Sequence, residues 1–460
     1  MATLQSILSA ARSGMSVSQT AAGLVSRNIA NAQTPGYARE ILPIAAALGG
    51  LAVTSGPPVA MRAALLERAL QGANGRVGYH ESQSRHLSIA EAALNDLDGT
   101  GLGARLDDFR EALSSLSANP SGTAERSTLL SQANTLGASF ASTRRQLDQA
   151  ASGTRDEAVA TTAKVNSLAA EIAQIDQRIK SARPGEEINT YLARRSALVG
   201  TLSGLVDVDV RQRTDGTLHV STAGGRSLVE GGEASKMVVE IGQPPARALT
   251  VSFERPDGSR LAAISGSELG GELGGLVKAH DETLAPALEK LDKLAFDLMN
   301  AFNAQHANGF TLSGAQGGDF FTPPATADGA ASRMTLVAGI QPGDVAASTN
   351  AASGAGDNTN VLALYGLLTE TGALPDGSSV NDFWRGIGSD VSHAQADAKA
   401  GAAFETGSRD QIENLLASET GVSIDEEMFQ LTQAQTALEA STRVISEAQK
   451  MTDTVLSLVG

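Results

Sequence analysis

The chain contains no cysteine, so disulfides, thiolate metal sites and cysteine nucleophiles are all excluded. Aromatic residues make up only 3% of its 460 residues and Trp384 is its one tryptophan, whereas alanine, serine, threonine and glycine are abundant. Small side chains fill narrow seams between helices better than they fill one large core. The composition therefore predicts an elongated, mainly helical molecule.

Positive charge and long apolar runs are also scarce. The formal net charge is −16, which argues against a partner bound through a phosphate backbone, so we expect no nucleic acid. No apolar run approaches the ~20 residues that a membrane span needs, and we expect no membrane partner. Gln5, Ser6, Ser9 and Arg12 interrupt the first residues, so we also expect no cleaved signal peptide.

The N-terminal segment has no Asp or Glu before Glu40. Its apolar residues recur three and four positions apart, with Ser18 as a polar interruption, and predict a helix of about 40 Å with one apolar stripe. The stripe consists of Leu4, Leu8, Ala11, Met15, Ala22, Val25 and Ile29. An acid-free, Ser-rich, Arg-bearing start is also typical of a mitochondrial transit peptide, which is one alternative.

This helix runs into the stretch NIANAQTPGYAR, residues 28–39. A residue before proline is pushed out of the helical region, so Thr34 predicts that the helix ends near Asn31, which tolerates a capping conformation. Thr34-Pro35-Gly36-Tyr37 fits a type II turn, because proline suits its second position and glycine its third.

The middle of the chain alternates between helical and strand patterns. Helical spacing runs from about Ala60 to Val206, with predicted breaks at Gly72–Gly78, Gly99–Gly103, Asn119-Pro120 and Pro184-Gly185. From Val206 the period becomes two, and further short alternating runs predict strands at Thr217–Val220, Lys236–Ile241 and Leu249–Phe253. Helix returns at Leu273.

These patterns predict a mainly α fold: an elongated helical rod or coiled coil built from paired N- and C-terminal helices, with a small inserted antiparallel β domain. We divide the chain into five segments: an N-terminal helix (1–35), the first part of a helical rod domain (36–205), the inserted β domain (206–272), the second part of the rod domain with a loop at 308–360 (273–424), and a C-terminal helix (425–460).

The C-terminal helix complements the first helix. It carries a second stripe at heptad spacing, with Ser441 and Thr452 as polar exceptions: Leu431, Ala434, Leu438, Ile445, Ala448, Val455 and Val459. It contains six acidic residues and two basic ones, Arg443 and Lys450. Glu426 and Glu427 lie at its start, where negative charge interacts favourably with the helix dipole. Matching stripes and opposite charge predict that the terminal helices pair, which a transit peptide would not require. Packing of the two helices on separate cores stays open as an alternative.

Catalytic and ligand-binding motifs are missing. None of the six histidines forms an H-E-x-x-H pair, and solvated or capping histidines explain them better than metal ligands do. Gly99-Thr100-Gly101-Leu102-Gly103 lacks the spacing of a nucleotide loop. We therefore predict no enzyme activity and no catalytic residue, metal or cofactor.

One stretch resembles the bacterial flagellar axial proteins in general, and others resemble one family among them. NIANAQTPGYAR resembles the signature that follows the first helix of bacterial flagellar axial proteins, with Asn28, Ile29, Ala30, Asn31, Thr34, Pro35, Gly36 and Tyr37 as its motif residues. LAFDLMNAFNAQHANGF (294–310) with GGDFF (317–321), and the last 40 residues, look like segments of the flagellar hook-associated protein 1 family, the first hook–filament junction proteins.

The resemblance implies a structural subunit between hook and filament that assembles as a ring or layer through its terminal helices. It also implies export through the flagellar type III apparatus, and therefore an extracellular place in the flagellum. The implied partners are further copies of the chain, hook protein, the second junction protein and an export chaperone at the C-terminal helix.

Two other functions remain as alternatives. A hook or distal rod protein would share the N-terminal motif. An axial protein with an enzymatic insert, for instance a peptidoglycan hydrolase, would have to use the acids of the β segment: Asp207, Asp209, Asp215 and Glu240. Solvated strand faces explain these acids better.

Overall fold

A computed structural model describes residues 4–34, 37–46, 52–95, 99–183, 188–242, 248–264, 266–351 and 356–459. The chain forms two compact units. The first unit comprises Met1–Asn74, Ser167–Ser235 and Glu405–Gly460, and the second unit comprises Gly75–Asn166 and Lys236–Phe404. Each unit therefore contains segments that are distant in sequence.

Helices dominate the described residues. They are α1 (Leu4–Asn31), α2 (Ala64–Leu94), α3 (Leu102–Ala118), α4 (Thr123–Ser181), α5 (Asn189–Leu205), α6 (Gly271–Lys278), α7 (Ala285–Ala307), α8 (Thr359–Thr369), α9 (Val380–Thr420) and α10 (Ile424–Val459). A π-helical segment, Ala279–Leu284, joins α6 to α7. The predicted mainly α fold is confirmed.

The strands are short and antiparallel. They are β1 (Glu40–Ile41), β2 (Ile44–Ala46), β3 (Val53–Ser55), β4 (Val59–Ala60), β5 (Val208–Gln212), β6 (Leu218–Thr222), β7 (Ser227–Glu230), β8 (Glu233–Ala234), β9 (Lys236–Ile241), β10 (Leu249–Glu254) and β11 (Arg260–Ile264). The four runs predicted as strands correspond to β5, β6, β9 and β10.

The predicted β segment forms two sheets. One has the order β5-β6-β7-β8 and lies in the first unit, whereas the other has the order β11-β10-β9 and lies in the second unit. The change of sheet occurs at Ser235, between β8 and β9. Periodicity locates strands but does not say which strands pair, so it suggested one inserted domain where two sheets exist. The five-segment division itself stays a prediction.

A buried ion pair joins helix to sheet in the first unit. Asp176 on α4 is fully buried, and its Oδ1 accepts a hydrogen bond of 2.5 Å from Arg195 Nη1 on α5. Its Oδ2 accepts the Leu218 amide of β6 at 2.8 Å, and Arg195 also donates to the Gly216 carbonyl. Because both charges are hydrogen-bonded, the pair can be buried without an orphaned charge.

Four phenylalanines form the centre of the second unit. Phe109 of α3, Phe302 of α7, Phe320 and Phe321 are fully buried, with ring centroids 4.8–6.5 Å apart. Asn303 Oδ1 accepts the amides of both Phe320 and Phe321, at 3.0 and 2.8 Å. The two quoted segments, 294–310 and 317–321, thus fold against each other as one core.

His306 completes this core. Its Nδ1 lies 2.7 Å from the Gly318 carbonyl, and its Nε2 accepts the Ala346 amide at 2.9 Å. An imidazole that donates from one nitrogen and accepts at the other is neutral. Burial lowers the pKa of His306 below the ordinary 6.5.

Two expectations drawn from the sequence are wrong. Helix α2 continues through Gly72–Gly78, because Ala73 and Val77 are buried there and packing outweighs the low helix propensity of glycine. The histidines are also not all solvated or capping, since His86, His280 and His306 are buried. Periodicity could not identify these buried histidines, because each is hydrogen-bonded to residues that are distant in sequence.

Gly275 marks a close helix crossing in the second unit. A Cβ on this residue of α6 would overlap the Tyr79 carbonyl oxygen of α2, which is backbone and cannot swing away. Ser82 Oγ of α2 donates to the Glu272 carbonyl at 3.1 Å at the same crossing. Position 275 therefore requires glycine, because any side chain would collide with the backbone of α2.

Gly275→Ala should lower the free energy of unfolding by roughly 1–3 kcal/mol, because the helices must separate to admit the methyl group. Gly388→Ala is the matched control, since a Cβ on that residue of α9 would meet nothing. Urea unfolding of both variants tests this, and equal midpoints would contradict the close-packing explanation.

His306 predicts a pH dependence. Its folded-state pKa lies below its ordinary value, so the stability it contributes is complete above about pH 6.5 and is lost as the pH falls through the lower pKa of the folded state. His306→Gln should reduce the loss of unfolding free energy between about pH 7.5 and about pH 5. The exposed His393→Gln is the control, and an unchanged slope in both variants would refute the prediction.

Candidate assembly site

The terminal helices α1 and α10 pack against each other in the first unit, and we call this contact the terminal seam. Along α10, every residue from 431 to 452 that is not exposed lies at heptad spacing: Leu431, Ala434, Leu438, Ser441, Ile445, Ala448 and Thr452. All other residues in that range are exposed. One face of α10 therefore meets α1.

The predicted stripe residues lie on this seam to different degrees. Ala11, Val25, Ala434 and Ala448 are buried. The half-buried members are Leu4, Leu8, Met15, Ala22, Ile29, Leu431, Leu438 and Ile445. Val455 and Val459 belong to α10, but their side chains lie outside the described residues.

The sequence stripe missed two residues of α1, Leu24 and Gly14. Leu24 is buried although it was not placed among the apolar contacts, and Ser18, the polar interruption of the stripe, is buried as well. A Cβ on Gly14 would lie 3.2 Å from Ser441 Oγ of α10, so the two helices approach closely at this level. The buried face of α1 is wider than the predicted stripe because strand β3 also packs on this helix. The Val53 amide of β3 donates to Ser13 Oγ of α1 at 3.3 Å.

Asn28 lies at the centre of a buried polar cluster at one end of the seam. Its side chain is 1% exposed, and its Oδ1 accepts the Tyr37 hydroxyl at 2.8 Å and the Glu40 amide at 3.1 Å. Its Nδ2 donates to the Glu40 carbonyl at 2.9 Å and to Glu427 Oε2 at 3.0 Å. One amide group thus ties α1, β1 and α10 together, in what we call the Asn28 cluster (Asn28, Tyr37, Arg39, Glu40 and Glu427).

Arg39 supplies the positive charge of the Asn28 cluster. Its Nε donates to Glu427 Oε1 at 2.7 Å, and its Nη1 donates to the exposed Glu426 at 2.9 Å. Glu427 is 1% exposed, so this pairing is what allows its carboxylate to be buried. The Arg39 amide also donates to the Thr420 carbonyl at 3.0 Å.

The remaining motif residues lie around this cluster. Helix α1 ends at Asn31 as predicted, and Asn31 Nδ2 donates to the Arg27 carbonyl at 2.9 Å. Ile29 is half-buried and Ala30 is exposed. Pro35 and Gly36, and with them the predicted type II turn, lie outside the described residues, although the Tyr37 amide donates to the Thr34 carbonyl at 3.1 Å.

Sequence reasoning missed the pairing of Arg39 with Glu426 and Glu427, since the helix dipole already explained acids at the start of α10. The signal that could have found it is the position of Arg39 directly after the motif, followed by Glu40, the first acid of the chain. A basic residue at the exit of an acid-free helix complements an acidic helix start.

The described residues contain no group of three or more His, Asp or Glu able to hold a metal ion, and none of their helices is long and apolar enough to cross a bilayer. Asp209 is paired with Arg211, Asp215 with Thr217 and Glu240 with Arg260. These acids are committed to local partners.

Comparison with known proteins identifies the family. A family model described as the flagellar hook-associated protein FlgK helical domain matches residues 87–321, just over half of the chain. The chain belongs to the flagellar hook-associated protein FlgK family. This is a structural family of the flagellum and not a family of enzymes. Residues 417–458 also match a model for the C-terminal part of the flagellar basal body rod proteins FlgEFG.

Relatives of the FlgK family match at modest identity. Flagellar hook-associated protein 1 of Bacillus subtilis strain 168 is 27% identical, over 98% of this chain and 98% of its own length. The protein of the same name from Salmonella typhimurium is 26% identical over 69% of this chain, and the match spans 60% of that relative.

A solved structure shares the FlgK fold. The flagellar hook junction protein FlgK from Burkholderia pseudomallei superposes with a TM-score of 0.65 at 18% identity, covering 77% of this chain and 100% of that one. At this identity the likeness supports the fold alone.

Asn28→Ala should lower the free energy of unfolding by roughly 2–4 kcal/mol, because it leaves several buried partners without a hydrogen bond. The amide of Glu40 should lose hydrogen-exchange protection, since its acceptor is Asn28 Oδ1. The control is Asn31→Ala, which removes two exposed hydrogen bonds, one to the Arg27 carbonyl and one from the Thr34 hydroxyl, and should cost less than about 1 kcal/mol. Equal effects of the two variants would show that the Asn28 cluster does not hold the seam.

Proposed function

We propose that this protein is a structural subunit that joins the hook to the filament of the bacterial flagellum and assembles as a ring or layer through its paired terminal helices. The observation that carries the proposal is the terminal seam, closed at one end by the Asn28 cluster. The name of the relatives from Bacillus subtilis and Salmonella typhimurium, flagellar hook-associated protein 1, supports a position next to the hook.

In the proposed layer, the paired terminal helices of neighbouring copies would contact one another. Within one chain α10 covers α1 along one face, yet large apolar side chains of α10 stay exposed: Met428 (50%), Phe429 (64%), Val444 (44%) and Met451 (58%). Exposed apolar residues grouped on one helix favour contact with another protein. Neighbouring copies of the chain would cover them.

Within this layer the motif residues hold the end of α1 and the start of α10 in one arrangement. Asn28 and Tyr37 hold the exit of α1, while Arg39 fixes the start of α10 beside it. Pairing within each copy then presents the same surface to the next copy, which a closed ring requires.

The proposal includes four partners and a route. The protein would contact further copies of itself, hook protein on one side and the second hook–filament junction protein on the other. An export chaperone would bind α10 before assembly. Export would use the flagellar type III apparatus without signal cleavage, so that the protein functions outside the cell.

A second candidate function is that of another flagellar axial protein, in the hook or the distal rod. The match of residues 417–458 to the rod-protein model favours it, because the C-terminal helix is common to these classes. The match of residues 87–321 to the hook-associated model favours the junction.

Isolated hooks stripped of their junction proteins provide the test. We expect the purified chain to add one layer at the distal end that stops growing and then accepts the second junction protein, as seen by electron microscopy. Continued growth into a tube would support the hook-like alternative, and no binding would refute both.

The same assay tests the terminal seam. Ala448→Glu places a charge at a buried seam position and should abolish layer formation, whereas Gln449→Glu changes an exposed neighbour and should not. Normal layers from Ala448→Glu would mean that pairing of the terminal helices is not needed for assembly.

A further inference from the structure

A cavity lies beside the Asn28 cluster in the first unit. Its volume is about 360 Å³, near the lower end of the range for small-ligand pockets. One wall consists of Arg27, Asn31, Thr34, Tyr37 and Glu40, and the other is the start of α5. The cavity therefore lies between the segment around the motif and α5.

Glu40 gives this cavity its chemistry. The residue is 6% exposed, and its Oε2 atom is buried with no hydrogen-bond donor among the described residues. Its backbone amide and carbonyl are both taken by Asn28, but its carboxylate is not. Glu40 forms an ion pair with Arg27, but the Nη2 atom of Arg27 is 3.9 Å from Glu40 Oε2, which is beyond hydrogen-bond distance.

A carboxylate taken out of water needs a donor, and an ionised one can only accept. The second arginine of the cavity is committed elsewhere, because Arg194 Nε and Nη2 both donate to Glu171, at 3.0 and 2.8 Å. No donor among the described residues is therefore left for Glu40 Oε2, and a cation from a second molecule would complement its charge.

The opposite wall fits a long cationic side chain. Ala193 and Ala197 lie one turn apart on α5 and leave a small apolar surface along the cavity. Lysine and arginine bury their aliphatic stems along such surfaces while the charged head reaches a polar group. A carboxylate at the end of an apolar wall is suited to such a side chain.

We infer that this cavity receives an arginine or lysine side chain of a second copy of the chain, whose charged head pairs with Glu40. The inference rests on the proposed function, since a layer of identical copies places the same surfaces side by side. Arg12 on α1 and Arg443 on α10 are exposed and have no ion-pair partner among the described residues. Each copy thus carries donors of the required kind.

Two variants remove the site in different ways. Glu40→Gln removes the charge at constant size, and Ala193→Phe fills the cavity while leaving Glu40 in place. We expect each to unfold at the same urea concentration as the wild type or higher, yet to need about tenfold or more protein to form layers on stripped hooks. The exposed Glu419→Gln and Thr201→Phe are the matched controls and should assemble normally.

A solution probe makes the inference independent of the layer. Butylguanidinium, an analogue of the arginine side chain, should shift the amide resonances of Tyr37 and Glu40 in the wild type and not in Glu40→Gln or Ala193→Phe. If the wild type forms no layer but binds the probe at these residues, the proposed function fails while the cation site stands.

Two results would overturn the inference. One is equal probe binding in the wild type and Glu40→Gln, together with normal layers from both cavity variants. The other is a loss of stability in Glu40→Gln that accounts for its loss of assembly, which would mean that Glu40 serves only to pair with Arg27 inside one chain.

Discussion

The buried carboxylate of Glu427 is the constraint on which the ends of this chain depend. A charge at 1% exposure persists only where donors surround it, and the donors are the side chains of Arg39 and Asn28. Those two residues come from the other end of the sequence. The start of α10 is thus held beside the end of α1 by the donors that one acid requires.

The rest of the terminal seam is comparatively loose. Most of its predicted apolar members are half-buried, and it contains Ser18, Ser441 and Thr452. At about 25 cal/mol per Å² of apolar surface, partial burial of small side chains contributes little. The polar cluster therefore determines register, and the apolar stripe supplies a modest attraction that further copies of the chain can increase. In the second unit the balance is reversed, because fully buried phenylalanines form its centre.

Local sequence patterns were sufficient to predict individual helices and strands. Thr34, as the residue before a proline, located the end of α1 near Asn31, and periodicity located the face of α10 that meets α1 and the runs that became β5, β6, β9 and β10. Individual side-chain contacts between residues distant in sequence were missed, although the pairing of the terminal helices was predicted. Glu427 needs Arg39, His306 needs Ala346, and the uninterrupted α2 needs the packing of Ala73 and Val77. The split of one strand-rich segment into two sheets belongs to the same class.

The hydrogen bond between Asn28 and Glu427 joins residues 399 positions apart. Closing a chain segment of that length has an entropic cost that rises with the logarithm of the number of free residues. The cost falls once the intervening residues are folded, since fewer of them remain free. Folding should therefore end with the terminal seam and unfolding should begin there. Chain ends that close last and open first can stay separate while the rest of the protein is already complete.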